Sequence, residues 1–355
     1  MKRRHIFLFL TVTAATLACK KNNRETMPGN IPAKEKKWVV TTIAGDGRPV
    51  FADGPALTAS FRLPLDVAIA EDGTIYIADA LNHRIRKIAA GIVTTFAGNG
   101  HQDTVNGTGS AAGFAIPSRL GMDKLGNLYT LDANDGRVRQ ITTSADVSTY
   151  AGVIENGFQD GSSGTAKFGQ SFGIVAGQDG SIYIGDSDNK RIRKITTNKE
   201  VITIAGTGTV GVVDGNASMA EFFFPEGIVI DPSGNLFVAD QNRIRKITPS
   251  GIVSTFAGSD SIGYKDGQRD SARFTLIEDM VIDTKGNLFV TDDSRIRKIS
   301  PQGVVSTIAG GSAGYNDGDG LSSKFNVPGG MAIDGQDNIY VADINNNRIR
   351  KISLE

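Results

Sequence analysis

From Trp38 onward the chain alternates short apolar segments with polar turns that contain aspartate and glycine. Each cycle has four segments of strand length. The first is apolar on both faces around a small middle residue, as in VAIA from Val67, and the second ends in aspartate, as in IYIAD from Ile75. The third reads RIRKI, and the fourth, as in GIVTTFAG from Gly91, is rich in β-branched residues. This pattern predicts β-strands throughout, since no segment has the 3.6-residue periodicity of an amphipathic helix.

Two sequence markers recur with one common spacing. An Ala-Gly pair closes each fourth segment, and an arginine opens each third segment. The glycines are Gly45, Gly98, Gly152, Gly206, Gly258 and Gly310, and the arginines are Arg84, Arg137, Arg191, Arg243, Arg295 and Arg348. Successive members of both series lie 52 to 54 residues apart. Four antiparallel strands repeated at this period are typical of a β-propeller blade.

The two ends of the chain complement each other. The sixth unit stops after its third strand, whereas residues 37–45, KWVVTTIAG, match a fourth strand in type. We therefore predict an all-β, six-bladed β-propeller with four antiparallel strands per blade. Its ring is closed by the N-terminal strand, which completes the last blade and removes an exposed sheet edge.

The repeated unit resembles a known family. The order F-x-x-P, apolar strand, D-x-x-G-N/T, aromatic strand ending in aspartate, N-R-I-R-K-I and G-x-V-x-T is similar to the NHL repeat, from Trp38 to Glu355. The resemblance implies a six-bladed propeller but no single activity. Members include non-catalytic protein-binding and RNA-binding modules, and a related propeller is a peptide-amidating lyase, so the fold does not settle the function.

The first nineteen residues read as a targeting segment. Lys2, Arg3 and Arg4 precede an apolar stretch too short to span a bilayer, for which about 20 residues are needed. The chain's single cysteine, Cys19, ends the sequence TLAC, which resembles a bacterial lipobox. That resemblance implies lipidation of Cys19, attachment to a membrane in the bacterial cell envelope and, because Lys20 follows the cysteine, sorting to the outer membrane. The alternative is an ordinary secretory signal with an incidental cysteine.

These features predict three regions: a lipoprotein signal peptide over residues 1–19, a flexible tether over residues 20–36 and the NHL-repeat propeller over residues 37–355. The tether is polar and contains Pro28, Gly29 and Pro32.

An aspartate ends every second strand, directly before the turn to the arginine that opens the third. These aspartates are Asp79, Asp132, Asp186, Asp240, Asp292 and Asp343. Since one ligand site does not need six identical copies, we interpret each Asp–Arg pair as a brace of the turn. The alternatives are a ring of ligands or a basic RNA-binding surface, although pairing would lower the charge available to phosphates.

Residues that differ between the copies are better candidates for a site. The two positions after the proline of F-x-x-P enter the innermost strand and include Asp66, Arg119, Glu226, Glu278 and Asp279. Propeller topology places them at one mouth of the central channel, on the face of the blade linkers. A mouth with four acids and one arginine is a candidate site for a cation or a polar ligand. The alternative is a solvated rim without a ligand.

The amino-acid composition argues against nucleic-acid binding and against two kinds of catalytic site. Thirty-eight basic residues balance 38 acidic residues, so no net charge favours nucleic acid, and we expect no nucleic-acid partner. His83 and His101 are the only histidines after the signal segment and have no zinc-site spacing; no G-x-S-x-G nucleophile motif occurs. The sequence favours a monomeric, non-catalytic, lipid-anchored envelope module that binds a protein, peptide or glycan. The alternative is a lactonase-like, calcium-dependent hydrolase that uses Glu226, Glu278 and Asp279; Ca²⁺ is the one candidate cofactor.

Overall fold

Six antiparallel sheets form the computed structural model, which describes residues 36–133 and 135–355. The predicted signal peptide, Cys19 and the tether up to residue 35 lie outside the described residues. Each sheet is one blade, and its strands follow the order first, second, third, fourth from the inside outward. No helix in the described part of the chain is long and apolar enough to cross a membrane.

The strand bounds repeat from blade to blade. The first, innermost strands are Pro64–Ile69, Pro117–Met122, Gly173–Ala176, Pro225–Ile230, Ile277–Ile282 and Pro328–Ile333. The second strands are Ile75–Asp79, Leu128–Asp132, Ile182–Asp186, Leu236–Asp240, Leu288–Asp292 and Ile339–Asp343. The third strands are Arg84–Ala89, Arg137–Ile141, Arg191–Ile195, Arg243–Ile247, Arg295–Ile299 and Arg348–Leu354. The fourth strands are Ile92–Ala97, Asp146–Ala151, Glu200–Ala205, Ile252–Gly258, Val304–Gly310 and, in blade six, Trp38–Ala44.

A short fifth strand at the outer edge of each blade was not predicted. These two-residue strands are Gly54–Pro55, Gly107–Thr108, Gly161–Ser162, Gly215–Asn216, Gly267–Gln268 and Gly318–Asp319. Each comes from the linker that enters the blade and pairs with the fourth strand. In blade one, Asp53 accepts hydrogen bonds from the backbone and the hydroxyl of Thr95, which docks the linker on that strand. Within the described residues, five 3₁₀ helices occupy turns and linkers: Ala80–Asn82, Gly109–Ala111, Arg269–Ser271, Gly320–Ser322 and Ile344–Asn346.

The N-terminal strand closes the ring as predicted. Trp38–Ala44 pairs antiparallel with Arg348–Leu354, from Trp38 opposite Leu354 to Ala44 opposite Ile349. The core lies between neighbouring blades and not within them. At the junction of blades six and one, for example, Phe61 and Ile77 pack with Ala342 and Ile349. Burial between two blades explains why the strands read as apolar on both faces.

The brace at each second strand uses a different arginine from the predicted one. Asp79 binds Arg86, the second arginine of RIRKI, with 2.6 Å between Oδ2 and Nη1, and both side chains are fully buried. Arg84, which opens the strand, instead stacks on the Phe51 ring and donates to backbone carbonyls. The prediction for the opening arginine is wrong because the linker brings Asp53 and the carbonyl of Ala52 to Arg86.

Candidate functional site at the channel mouth

The five predicted site residues come together at the linker-face end of the innermost strands. Asp66, Arg119 and Glu226 are buried, with exposed fractions of 4%, 7% and 9%, whereas Glu278 and Asp279 are half-buried. Arg119 lies within electrostatic reach of all four carboxylates. Three of the five side chains are therefore shielded from solvent, whereas Glu278 and Asp279 keep part of their surface exposed. We call these five side chains the mouth cluster.

Asp66 joins blades one and two. Its Oδ1 accepts a hydrogen bond of 2.7 Å from the backbone N–H of Val67, and its Oδ2 accepts one of 2.7 Å from Leu120 in the next blade. Both donors lie on innermost strands. Blade six leaves room for this carboxylate, because a Cβ on Gly330 would lie 1.8 Å from Oδ1. Burial, reinforced by Asp279, raises the pKa of Asp66 well above its usual value.

Asp279 plays the equivalent part between blades five and six. Its Oδ2 accepts a 2.7 Å hydrogen bond from the backbone N–H of Met331, and its own N–H donates to the Thr291 hydroxyl at 3.1 Å. A Cβ on Gly227 of blade four would lie 2.7 Å from its Oδ1. Burial raises the pKa of Asp279 despite the opposing charge of Arg119. Both aspartates therefore hold neighbouring blades together at the channel.

Arg119 is only partly satisfied. Its Nε donates to the Phe172 carbonyl at 3.0 Å, but its buried Nη1 has no hydrogen-bond partner. Burial acts to lower the pKa of this guanidinium, yet the surrounding carboxylates, Asp279 first, raise it above its usual value. Arg119 is therefore a buried cation whose Nη1 atom has no hydrogen-bond partner.

Of the two glutamates, Glu226 carries the unsatisfied acceptor of the mouth cluster. Glu226 Oε2 is buried without a hydrogen-bond partner. Burial raises the pKa of Glu226 to about 8; Arg119 opposes this shift, and Glu278, Asp279 and Asp240 add to it. Burial and the Asp279 charge also raise the pKa of Glu278. A buried donor and a buried acceptor thus lack partners in one small region.

A chamber lined by both apolar and charged side chains lies along the channel beside the mouth cluster. It has a volume of about 260 Å³, with Asp66, Arg119 and Asp279 among its lining residues. Its walls are the innermost strands, and its lining runs as far as Met122 and Ile333. Three members of the mouth cluster, Asp66, Arg119 and Asp279, therefore border this chamber.

Sequence reasoning missed an apolar rim around the mouth. In five of the six repeats, the residue directly before the proline of F-x-x-P, or before Ile277 at the same position, is apolar: Leu63, Ile116, Phe224, Leu276 and Val327. The Phe224 ring lies 5.8 Å from the Phe172 ring, and Lys190 Nζ lies 4.7 Å from the Phe224 ring centre. Aligning the six copies at this position would have revealed the rim.

The residues present do not fit a resident calcium ion. Among residues 36–133 and 135–355, no group of three or more His, Cys, Asp or Glu side chains is arranged to hold a metal. Oxygens of Asp66 and Asp279 already accept backbone N–H groups, and a guanidinium lies within the same cluster. Ca²⁺ needs six to eight oxygen ligands, which this set of side chains does not supply.

Two larger grooves open between blades at the opposite face. One, of about 480 Å³, lies between blades three and four beside Tyr183 and Ile204, and another, of about 540 Å³, lies beside Tyr340. In other blades an aromatic ring fills the equivalent space, as Phe96 does against Tyr76 at 5.0 Å. The groove beside Tyr183 therefore reflects a smaller side chain at position 204.

Comparisons with known proteins agree with this architecture. The NHL repeat family matches residues 61–88 and 325–352. The Arabidopsis thaliana protein SUPPRESSOR OF QUENCHING 1, chloroplastic, is 33% identical over 184 residues, which cover 48% of this chain. The chain spans only 17% of the length of that relative.

Solved structures of Bacteroides thetaiotaomicron proteins share the fold. A structural genomics protein of unknown function has a TM-score of 0.70 at 22% identity, covering 90% of this chain and 77% of that chain. A protein described as an auxiliary nutrient binding protein has a TM-score of 0.68 at 19% identity, with the same coverage. The ring of blades and these matches identify the fold as a six-bladed β-propeller, in which two segments, residues 61–88 and 325–352, match the NHL repeat.

Proposed function

We propose that this protein is a non-catalytic binding module of the bacterial cell envelope, held to the membrane by a lipid on Cys19. In this proposal it captures a protein, peptide or glycan at the channel mouth. The observation that carries the proposal is the pair of buried atoms without partners, Arg119 Nη1 and Glu226 Oε2.

A buried polar atom without a hydrogen bond costs about 1–3 kcal/mol of folding free energy. A ligand that accepts from Arg119 and donates to Glu226 would recover that cost on binding. The apolar rim supports this proposal, because ligand sites combine apolar walls with a few placed polar groups. A structural neighbour described as an auxiliary nutrient binding protein gives further support.

Binding is tested with the soluble body Lys36–Glu355, a compact unit that contains every described strand. Labelled body is applied to peptide and glycan arrays, and positive ligands are titrated by calorimetry. We expect Arg119→Met and Glu226→Gln to weaken capture of any true ligand at least tenfold, whereas Glu71→Gln, an exposed change at the opposite face, leaves it unchanged. A ligand that binds all four proteins equally would place recognition elsewhere.

The anchor is tested separately with the full chain in a Gram-negative host. We expect metabolic labelling with radioactive palmitate to mark the parent protein but not Cys19→Ser. Fractionation should then find the parent in the outer membrane. An unlabelled parent protein would remove the lipid anchor from the proposal and leave the binding module intact.

A further inference from the structure

We infer that the mouth cluster recognises a primary ammonium group on an aliphatic chain, such as a lysine side chain of a peptide. The inference rests on the proposed function because it takes binding at the mouth as its starting point. It is carried by the excess of carboxylates over cations there and by the partnerless oxygen of Glu226.

The mouth cluster contains more carboxyl groups than cationic groups. Four carboxylates surround one guanidinium, and no direct ion pair involves any of these five side chains among the described residues. Two further charged groups are already engaged. Asp240, which faces Glu226, is paired with Arg245 at 2.9 Å, and Lys190 Nζ donates to the Ser187 carbonyl at 2.8 Å. The remaining carboxylates can be neutralised only by protons or by a bound cation.

An ammonium group suits the remaining acceptors better than a metal ion does. It donates up to three hydrogen bonds and needs no shell of six to eight oxygens. The free Oε2 of Glu226 can accept one of these bonds, with Glu278 close enough to interact electrostatically with Glu226. Ionised carboxylates in the cluster would repel an anion, and a neutral hydroxyl would not replace the proton that Glu226 carries at neutral pH.

The apolar rim accounts for the aliphatic chain. Leu276 and Val327 are 39% and 38% exposed, and they lie at the end of innermost strands where the mouth cluster begins. A methylene chain can lie along such a surface while its charged end reaches the acidic groups. The Phe224 ring already stacks with one ammonium, that of Lys190, so aromatic faces at this rim attract cations.

Binding of a cation should release a proton. Glu226 is largely protonated at neutral pH, because burial raises its pKa to about 8. A nearby ammonium favours the ionised carboxylate, so the proton of Glu226 passes to the buffer on binding. A lysine ammonium itself stays protonated well above pH 8. Affinity should therefore rise between pH 6 and pH 9.

The test compares two probes that differ only in the ammonium group. Nα-acetyl-lysine methylamide and Nα-acetyl-norleucine methylamide are titrated into the soluble body by calorimetry, in two buffers of different ionisation enthalpy. We expect the lysine probe to bind at least tenfold more tightly than the norleucine probe, with release of close to one proton at pH 7. Its affinity should rise at least fivefold from pH 6 to pH 9.

Two variants connect the effect to the site. Glu226→Gln should weaken the lysine probe at least tenfold and abolish proton release, whereas Glu71→Gln should change neither. Unchanged circular dichroism and melting profile of Glu226→Gln exclude misfolding as the cause.

The inference is overturned if both probes bind equally, or if the lysine probe does not bind at about 10 mM, a concentration that detects even millimolar affinity. That failure is distinct from failure of the proposed function. An array ligand lost in Arg119→Met would keep the binding module and exclude only the ammonium.

Discussion

The buried arginine of each third strand gives the sharpest test of how this propeller is held together. In blade three, Arg193 is fully buried and Asp186 lies against it, with 2.7 Å between Nη1 and Oδ2. Arg193 also donates to Asp160 and to the carbonyls of Lys167 and Gln159. The perturbation is Arg193→Met, which keeps an unbranched side chain but removes every one of these donors.

The expected loss of folding free energy depends on Asp186, the carboxylate that loses its ion-pair partner. Summing several charge-assisted hydrogen bonds would overestimate the effect, because the unfolded arginine is hydrated. Removing one partner of a buried ion pair costs about 3–5 kcal/mol. Asp186 keeps hydrogen bonds from Asn189 and the Gly169 N–H, both at 2.9 Å, so we expect the lower end, about 3 kcal/mol.

Arg191→Met is the matched control on the same strand. The Arg191 guanidinium stacks on Phe158 and donates to the carbonyls of Asn189 and Thr207 without a carboxylate partner. We expect this change to lower the free energy of unfolding by about 1 kcal/mol. Urea unfolding followed by tryptophan fluorescence and circular dichroism measures both variants.

The pH dependence of the unfolding free energy gives a second test of the Arg193–Asp186 pair. Burial already raises the pKa of Asp186, and loss of Arg193 removes a charge that opposes that shift. In Arg193→Met the folded state should therefore bind a proton that the unfolded state releases, so its deficit relative to the parent shrinks as pH falls from 7 to 5. Equal losses in the two variants, or a deficit that grows at low pH, would refute the reasoning.

Three further changes test ring closure, packing and the mouth. Deleting Trp38–Ala44 exposes the third strand of blade six, so we expect an insoluble or opened protein; a soluble deletion variant with the parent's melting temperature would contradict closure. Ile204→Phe should fill the groove beside Tyr183, as Phe256 packs against Phe237 with 5.1 Å between the ring centres, and stabilise the protein by about 1 kcal/mol. The control is Ile202→Phe at an exposed position of the same strand. Equal shifts in the melting temperature of the two variants would exclude groove filling. Because the pKa of Glu226 is raised to about 8 in the folded protein, its contribution to stability is complete below its unfolded pKa near 4.5 and falls as pH rises to 8. Melting temperatures measured across this pH range should therefore fall less steeply in Glu226→Gln than in the parent. An unchanged pH dependence would assign the effect to other groups.

Local patterning alone determined the architecture of this protein. Six copies of a four-strand unit, each with apolar segments of strand length, leave few ways to bury their surface other than a ring of blades. The match between residues 37–45 and the fourth strands also located the closure correctly. Comparison of the copies placed Asp66, Arg119, Glu226, Glu278 and Asp279 at one mouth, because their position in the repeat fixes their position in the ring.

Contacts between segments far apart in the chain were decided only by the tertiary structure. Asp53 of the linker contacts the second arginine, Arg86, which also forms the buried ion pair with Asp79. The sequence does not distinguish the two arginines, because both recur in every repeat. In the same way, Asp66 accepts a hydrogen bond from Leu120 of the next blade and so links two blades, whereas Glu226 Oε2 has no hydrogen-bond partner. Burial and partner choice depend on which neighbours the fold supplies, and a repeat pattern read along one chain does not contain that information.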